Sequence, residues 1–151
     1  MHSLVRRYIK TAIAFLALGL AIGVWLIVKR ELYGRYATPL ETSAHTHALL
    51  VGFVMMMILG VALWLFPRPA RDDVQYSPRL AELAYWLVTL GTAGRVVGEL
   101  ARDYSDSGWL RVTIIACGLA QALGILVFFM TMWTRIRPLG SAAREKAGEK
   151  F

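Results

Sequence analysis

His45 and His47 are the residues of this chain best suited to chemistry. They stand in Ala44-His45-Thr46-His47, and the 19 residues that follow, Ala48 to Phe66, include no Asp, Glu, Lys or Arg. Two potential metal ligands therefore lie at the mouth of a segment apolar enough to enter a membrane. An ionisable side chain in that setting is costly and is a functional-site hypothesis by default. The remaining histidine is His2, on the N-terminal tail. On a regular helix two steps of about 100° leave the two side chains roughly 160° apart, so they do not chelate one ion together. The i, i+4 spacing of helical zinc sites is absent. No Cys or acidic residue within the apolar segments is near enough in sequence to complete a zinc set. Diverging imidazoles suit a helix that offers one axial ligand to each of two flanking sites. The competing reading makes each a helix cap or an interfacial polar residue.

Arg95 and Glu99 are the next pair of interest, four residues apart on what reads as one helix and near the depth of His47. They are expected to neutralise each other. Arg95 is also a natural partner for a carboxylate on a bound cofactor. Glu99 then holds the arginine or accepts an Nδ1–H from a ligand histidine, as carboxylates behind metal ligands do. Gln121 is expected to bond across helices, and Met55-Met56-Met57 to be packing material. Cys117 is alone and is no evidence for a disulfide or a Cys-based metal site.

These groups need a scaffold. The chain has 151 residues, 57% of them hydrophobic, with a mean hydropathy of +0.51, too apolar for a soluble domain. A membrane helix needs about 20 apolar residues. Thr11–Val28, Ala44–Phe66 and Val112–Thr134 contain no formal charge, whereas the segment from Leu83 reaches membrane length only by running through Arg95 and Glu99. The expected fold is an all-α integral membrane protein with four transmembrane helices, at about residues 8–28, 43–66, 80–100 and 110–133. Residues 1–134 form the membrane unit and 135–151 a basic cytoplasmic tail. The first span is too long for a signal-peptide core, and Lys29-Arg30-Glu31 is not a cleavage site.

Charge sets the expected orientation. Eleven Lys and Arg residues lie in the N-terminal tail, the middle loop and the C-terminal tail, against five in the other two loops. The positive-inside rule then places both termini in the cytoplasm of an inner (cytoplasmic) membrane, and the histidine pair on the outer side. The net charge of +7 is explained by such margins and by anionic membrane lipid, not by nucleic acid. Trp25, Tyr33, Tyr36, Tyr104 and Trp109 read as anchors at one interface, and Tyr76, Tyr85, Trp86 and Trp133 at the other. Pro39 with Thr42-Ser43 reads as the turn and cap before the second helix, Pro67-Arg68-Pro69 as its stop, and Asp103–Gly108 as a tight turn. Gly19-x-x-x-Gly23, Gly94-x-x-x-Gly98 and Gly118-x-x-x-Ala122 mark close-packing faces. Gly52, five residues beyond His47, leaves room for a flat macrocycle.

His-x-His-x-x-x-x-Gly-Phe, from His45 to Phe53, followed by Gly60-Val61-x-x-Trp64-Leu65-Phe66-Pro67-Arg68, resembles the small four-helix relatives of heme–copper oxidase subunit I. That resemblance implies one four-helix arc, of which the large catalytic subunit has three around a pseudo-threefold axis. It also implies that His45 and His47 occupy a motif whose two histidines bind two different hemes. The departures are specific. The copper or non-heme metal ligands and the cross-linked tyrosine have no counterpart, and Leu63-Trp64 stands where the motif usually reads Tyr-His. A complete oxidase or nitric oxide reductase is therefore not expected.

The expectation that follows is a membrane protein binding heme b through His45 and His47. Arg95, Glu99 and Gly52 line the site, and the role is electron transfer or O2/NO handling in respiration or denitrification. The resemblance further implies a homo-oligomer, a trimer replacing the three arcs. The alternative is a cofactor-free accessory or assembly subunit of a membrane respiratory complex.

Overall fold

The structure, a computed structural model, describes residues 3–67 and 76–136, with Gly148. Within them every regular element is helical. The chain runs through α1 (Ser3–Tyr33), α2 (Pro39–His47), a π-helical stretch (Ala48–Met55), α3 (Met56–Leu65), α4 (Pro78–Arg102) and α5 (Gly108–Met132), and ends in a short 3₁₀ turn at Trp133–Arg135. The second, third and fourth of these form one rod, so four helical rods result, each overrunning its expected span by a few residues at most ends.

Local chemistry explains the breaks. α1 stops at Gly34, whose φ of 62° suits a residue without a Cβ, and the Gly34 amide donates to the Arg30 carbonyl at 3.1 Å. The second rod starts earlier than expected. Its N-cap is Thr38, not Thr42 or Ser43, because Pro39 fits the first helical position and Glu41 closes a capping box. The Glu41 amide donates to Thr38 Oγ1 at 3.2 Å and the Thr38 amide to Glu41 Oε2 at 2.9 Å. Lys29 on α1 also donates to both Glu41 oxygens, at 2.8 and 2.7 Å, which ties the first hairpin shut. The rod ends at Phe66, forced into an extended conformation (ψ 143°) by Pro67. In the turn after α4, Arg111 and then Arg102 bond Asp106 and hold its carboxyl below the usual carboxylate range.

Three rods are long and apolar enough to cross a membrane: Ser3–Tyr33, Pro39–Leu65 and Gly108–Arg135. The chain is a membrane protein. α4 is long enough, at 25 residues, or roughly 37 Å, but its polar residues lower its hydropathy.

Successive rods pack antiparallel, with glycines at the closest approaches. A Cβ on Gly60 would meet Tyr8 at 2.9 Å, and one on Gly94 would meet Cys117 Sγ at 2.6 Å. The main core gathers Val5, Tyr8, Met56, Leu59, Tyr85, Phe128 and Met132 from all four rods. The Tyr8 ring meets Tyr85 and Phe128 edge-on, at 5.1 and 5.9 Å between centroids. Tyr85 is therefore not an interface anchor. It is buried, and its hydroxyl bonds Thr11 Oγ1 at 2.8 Å.

Arg135 corrects a second expectation. Read as the first residue of a solvated tail, it is buried at 4% exposure and caps the end of α3. Its guanidinium donates to the carbonyls of Leu63, Phe66 and Pro67 at 3.2, 3.0 and 2.8 Å. Those carbonyls are among the groups a helix C-terminus leaves unpaired. The rest of the expected tail, apart from Ile136 and Gly148, lies outside the described residues, as do His2, Arg68, Pro69 and Arg71.

Candidate functional site

The histidine pair leaves the second rod on opposite flanks. His45 faces α1, where its Nδ1 lies 2.9 Å from the Gly19 carbonyl and its ring covers Gly23. His47 faces α4. Its Nδ1 is 2.8 Å from the Ser43 carbonyl and 3.2 Å from Ser43 Oγ. A carbonyl only accepts, so in each ring Nδ1 carries the proton and donates it. This is the tautomer of a histidine that binds metal through Nε2, with the other N–H given to a backbone carbonyl. Among the described residues no three His, Cys, Asp or Glu side chains converge, so each histidine would serve as a single ligand.

The π-helical stretch begins at Ala48, immediately after His47. Its wider i→i+5 turns change the angular register between the histidines and α3, and π segments recur at functional sites. Nothing in the residue types of Ala48–Met55, an unbroken apolar run, announced it.

Behind His47 runs a polar network joining α2, α4 and α5. Ser43 Oγ donates to Glu99 Oε1 at 2.9 Å, and Arg95 Nε donates to the same oxygen at 2.9 Å. Arg95 Nη1 reaches Gln121 Oε1 at 3.4 Å, and Gln121 Nε2 donates to Thr92 Oγ1 at 3.0 Å. The expected Arg95–Glu99 pair and the cross-helix bond of Gln121 are both present. Gly118 leaves room for the guanidinium, since a Cβ there would lie 3.2 Å from Nη1. Glu99 is 2% exposed, and its Oε2 has no hydrogen-bond partner and lies 3.7 Å from His47 Nδ1. From sequence Ser43 read only as part of a helix cap, and Thr92 was not singled out. An i−4 serine before a candidate ligand histidine was the available signal for the first.

Gly52 stands apart from this cluster. A Cβ there would meet Phe15 Cγ at 2.5 Å, so the room it provides is used by α1. The bare face of the second rod carries Phe53, Val54, Met57, Ile58 and Val61 along an apolar groove of about 460 Å³.

The family model for Cytochrome C and Quinol oxidase polypeptide I matches residues 3–145, nearly the whole chain. No curated protein and no solved structure matches. The chain belongs to the Cytochrome C and Quinol oxidase polypeptide I family.

Proposed function

Within that family, we propose that this chain is a heme b protein of the inner membrane, with His45 and His47 as axial ligands. The observation that carries the reading is a shared geometry: both Nδ1 atoms face backbone carbonyls, at 2.9 and 2.8 Å, the arrangement of histidines that offer Nε2 to a metal. The donor set suits heme iron, which takes neutral imidazole at an axial position. When bound, heme supplies one-electron redox chemistry and a site for a diatomic gas. The chain's own residues do the rest. Gly19 and Ser43 orient the imidazoles, Arg95 offers a guanidinium to a propionate, and Glu99 holds that guanidinium in place. Electron transfer or O2/NO handling in respiration or denitrification is the corresponding role. It is performed by a four-span chain with both termini cytoplasmic and α4 as the third crossing.

One observation favours a different reading. The His45 ring lies so closely against Gly23, with its Nδ1 on the Gly19 carbonyl, that it also serves as a helix clip, as it would in a cofactor-free accessory or assembly subunit. Absorption spectroscopy decides. The purified protein should show a Soret band that disappears in the His45→Ala/His47→Ala double variant. A colourless protein after expression with ample heme supply, or a band that survives the double substitution, overturns the heme reading.

A further inference from the structure

We infer that Ser43 is a positioning residue for His47, and that its hydroxyl couples Glu99 to the histidine. The inference rests on the reading of His47 as a ligand, and extends it to a residue without an assigned role. The His47 Nδ1–H meets two oxygens, and both belong to Ser43: the carbonyl at 2.8 Å and Oγ at 3.2 Å. Glu99 Oε2, at 3.7 Å from Nδ1, is beyond hydrogen-bond range. The serine hydroxyl has one proton and two lone pairs. Its proton goes to Glu99 Oε1 at 2.9 Å, because a carboxylate only accepts, so a lone pair of Oγ faces the imidazole.

This makes a relay from Arg95 through Glu99 and Ser43 to His47, in which Arg95 and Ser43 donate to the carboxylate and His47 donates to Ser43. A hydroxyl that donates to a carboxylate becomes a better acceptor, so the negative charge of Glu99 reaches the ring as a stronger pull on its N–H. Such a pull raises the basicity of Nε2 and fixes the plane of the ring. Sequence spacing alone suggested a direct Glu99–histidine bond. The geometry inserts Ser43 between them. Thr46, on the same turn, spends its hydroxyl on the Thr42 carbonyl at 2.8 Å and is exposed, so it is a fitting control.

Two measurements on the full chain test this. The first needs no heme. With ¹⁵N-histidine in detergent micelles, Glu99→Gln should shift the His47 Nδ1–H resonance, and should shift it much less in a Ser43→Ala background, where only the through-space effect of the carboxylate at 3.7 Å is left. Ser43→Thr should restore the full shift. A Glu99→Gln shift that is undiminished without the hydroxyl overturns the relay, as does no shift in either background. The second is heme titration. Loss of a partner behind a metal ligand typically costs about 10–100-fold in affinity. Ser43→Ala should fall in that range, with Ser43→Thr and Thr46→Ala near wild type. Unchanged affinity and spectrum in Ser43→Ala also overturn the relay. If wild type takes no heme, the ligand reading fails by itself, and the resonance experiment still decides the role of Ser43.

Discussion

A Cβ on Gly23 would lie 2.8 Å from Cε1 of His45 and 3.4 Å from its Nδ1. The glycine on α1 thus decides where an imidazole of the second rod can rest. The hydrogen bond from that ring to Gly19, one turn away, prevents it from simply swinging aside. Gly23, legible as part of a packing face, is also a berth for a candidate ligand, whereas the space at Gly19 is taken by Leu49.

Gly23→Ala tests the berth. Mid-helix, such a change usually stabilises by roughly 0.5–1 kcal/mol, whereas overpacking costs about 1–3 kcal/mol. The collision should win, lowering thermal stability and heme content together. Gly108→Ala, where nothing lies within 4 Å of the added Cβ, should change neither. A Gly23→Ala protein with wild-type stability and wild-type heme content would show that the ring is not wedged there.

Topology gives the second prediction. Eleven basic residues on one side against five on the other lead us to predict both termini inside, provided α4 crosses. Reporter fusions at Phe151 should read cytoplasmic, and insertions near Tyr36 and at Ser105 external. A cytoplasmic signal at Ser105 would mean that α4 does not span and that the polar network of Arg95, Glu99 and Thr92 faces another environment.

The rods were legible because uncharged runs of membrane length leave little choice, although most ends run a few residues beyond the uncharged core and capping chemistry moved the start of the second rod to Thr38. α4 was the least legible from hydropathy, for the reason that makes it interesting: its polar residues serve the network behind His47. Long-range partners were not legible. Nothing local to Arg135 reveals that the carbonyls of Leu63 and Phe66, some 70 positions earlier, need a donor. The π-helical stretch was equally hidden, since an unbroken apolar run reads the same in an α- or a π-helix.

Arg135 supplies the third prediction. Arg135→Met keeps the apolar stem and removes the donors that cap α3. A hydrogen bond to a charged group contributes about 1.5–3 kcal/mol, so thermal unfolding should move down clearly. Arg30→Met should have little effect, because Arg30 is exposed and pairs with its neighbour Glu31, a kind of contact worth about 0–1 kcal/mol. Equal effects of the two substitutions would remove Arg135 from the cap.

Arg95 separates propionate anchoring from internal neutralisation. Its Nε is committed to Glu99, while Nη1 makes only a long contact to Gln121, at 3.4 Å, so the outer edge of the guanidinium has capacity for a carboxylate. Arg95→Leu should weaken heme retention or shift the reduction potential, and Arg111→Leu, at the interface, should not. A fall in stability with heme content and potential unchanged would assign Arg95 to the ion pair alone.

The opposite flanks taken by His45 and His47 carry the last prediction, a homo-oligomer with heme between subunits. One chain presents one imidazole towards α1 and the other towards α4, so a bis-histidine iron needs a second chain. The bare apolar face of the second rod, at Val54, Met57 and Ile58, is free to line the centre of such an assembly. Closed cyclic symmetry would let His47 of one subunit meet His45 of the next. A trimer, replacing the three arcs of the large subunit, should appear in native mass spectrometry with up to three hemes. The His45→Ala and His47→Ala variants should each lose every bis-histidine site when alone. Mixed at equal amounts they should regain about a quarter of them, as random cyclic assembly requires. A monomer that keeps low-spin, six-coordinate heme would defeat the arrangement. Met55 would then be the next ligand to test, since Met56 is fully buried in the main core.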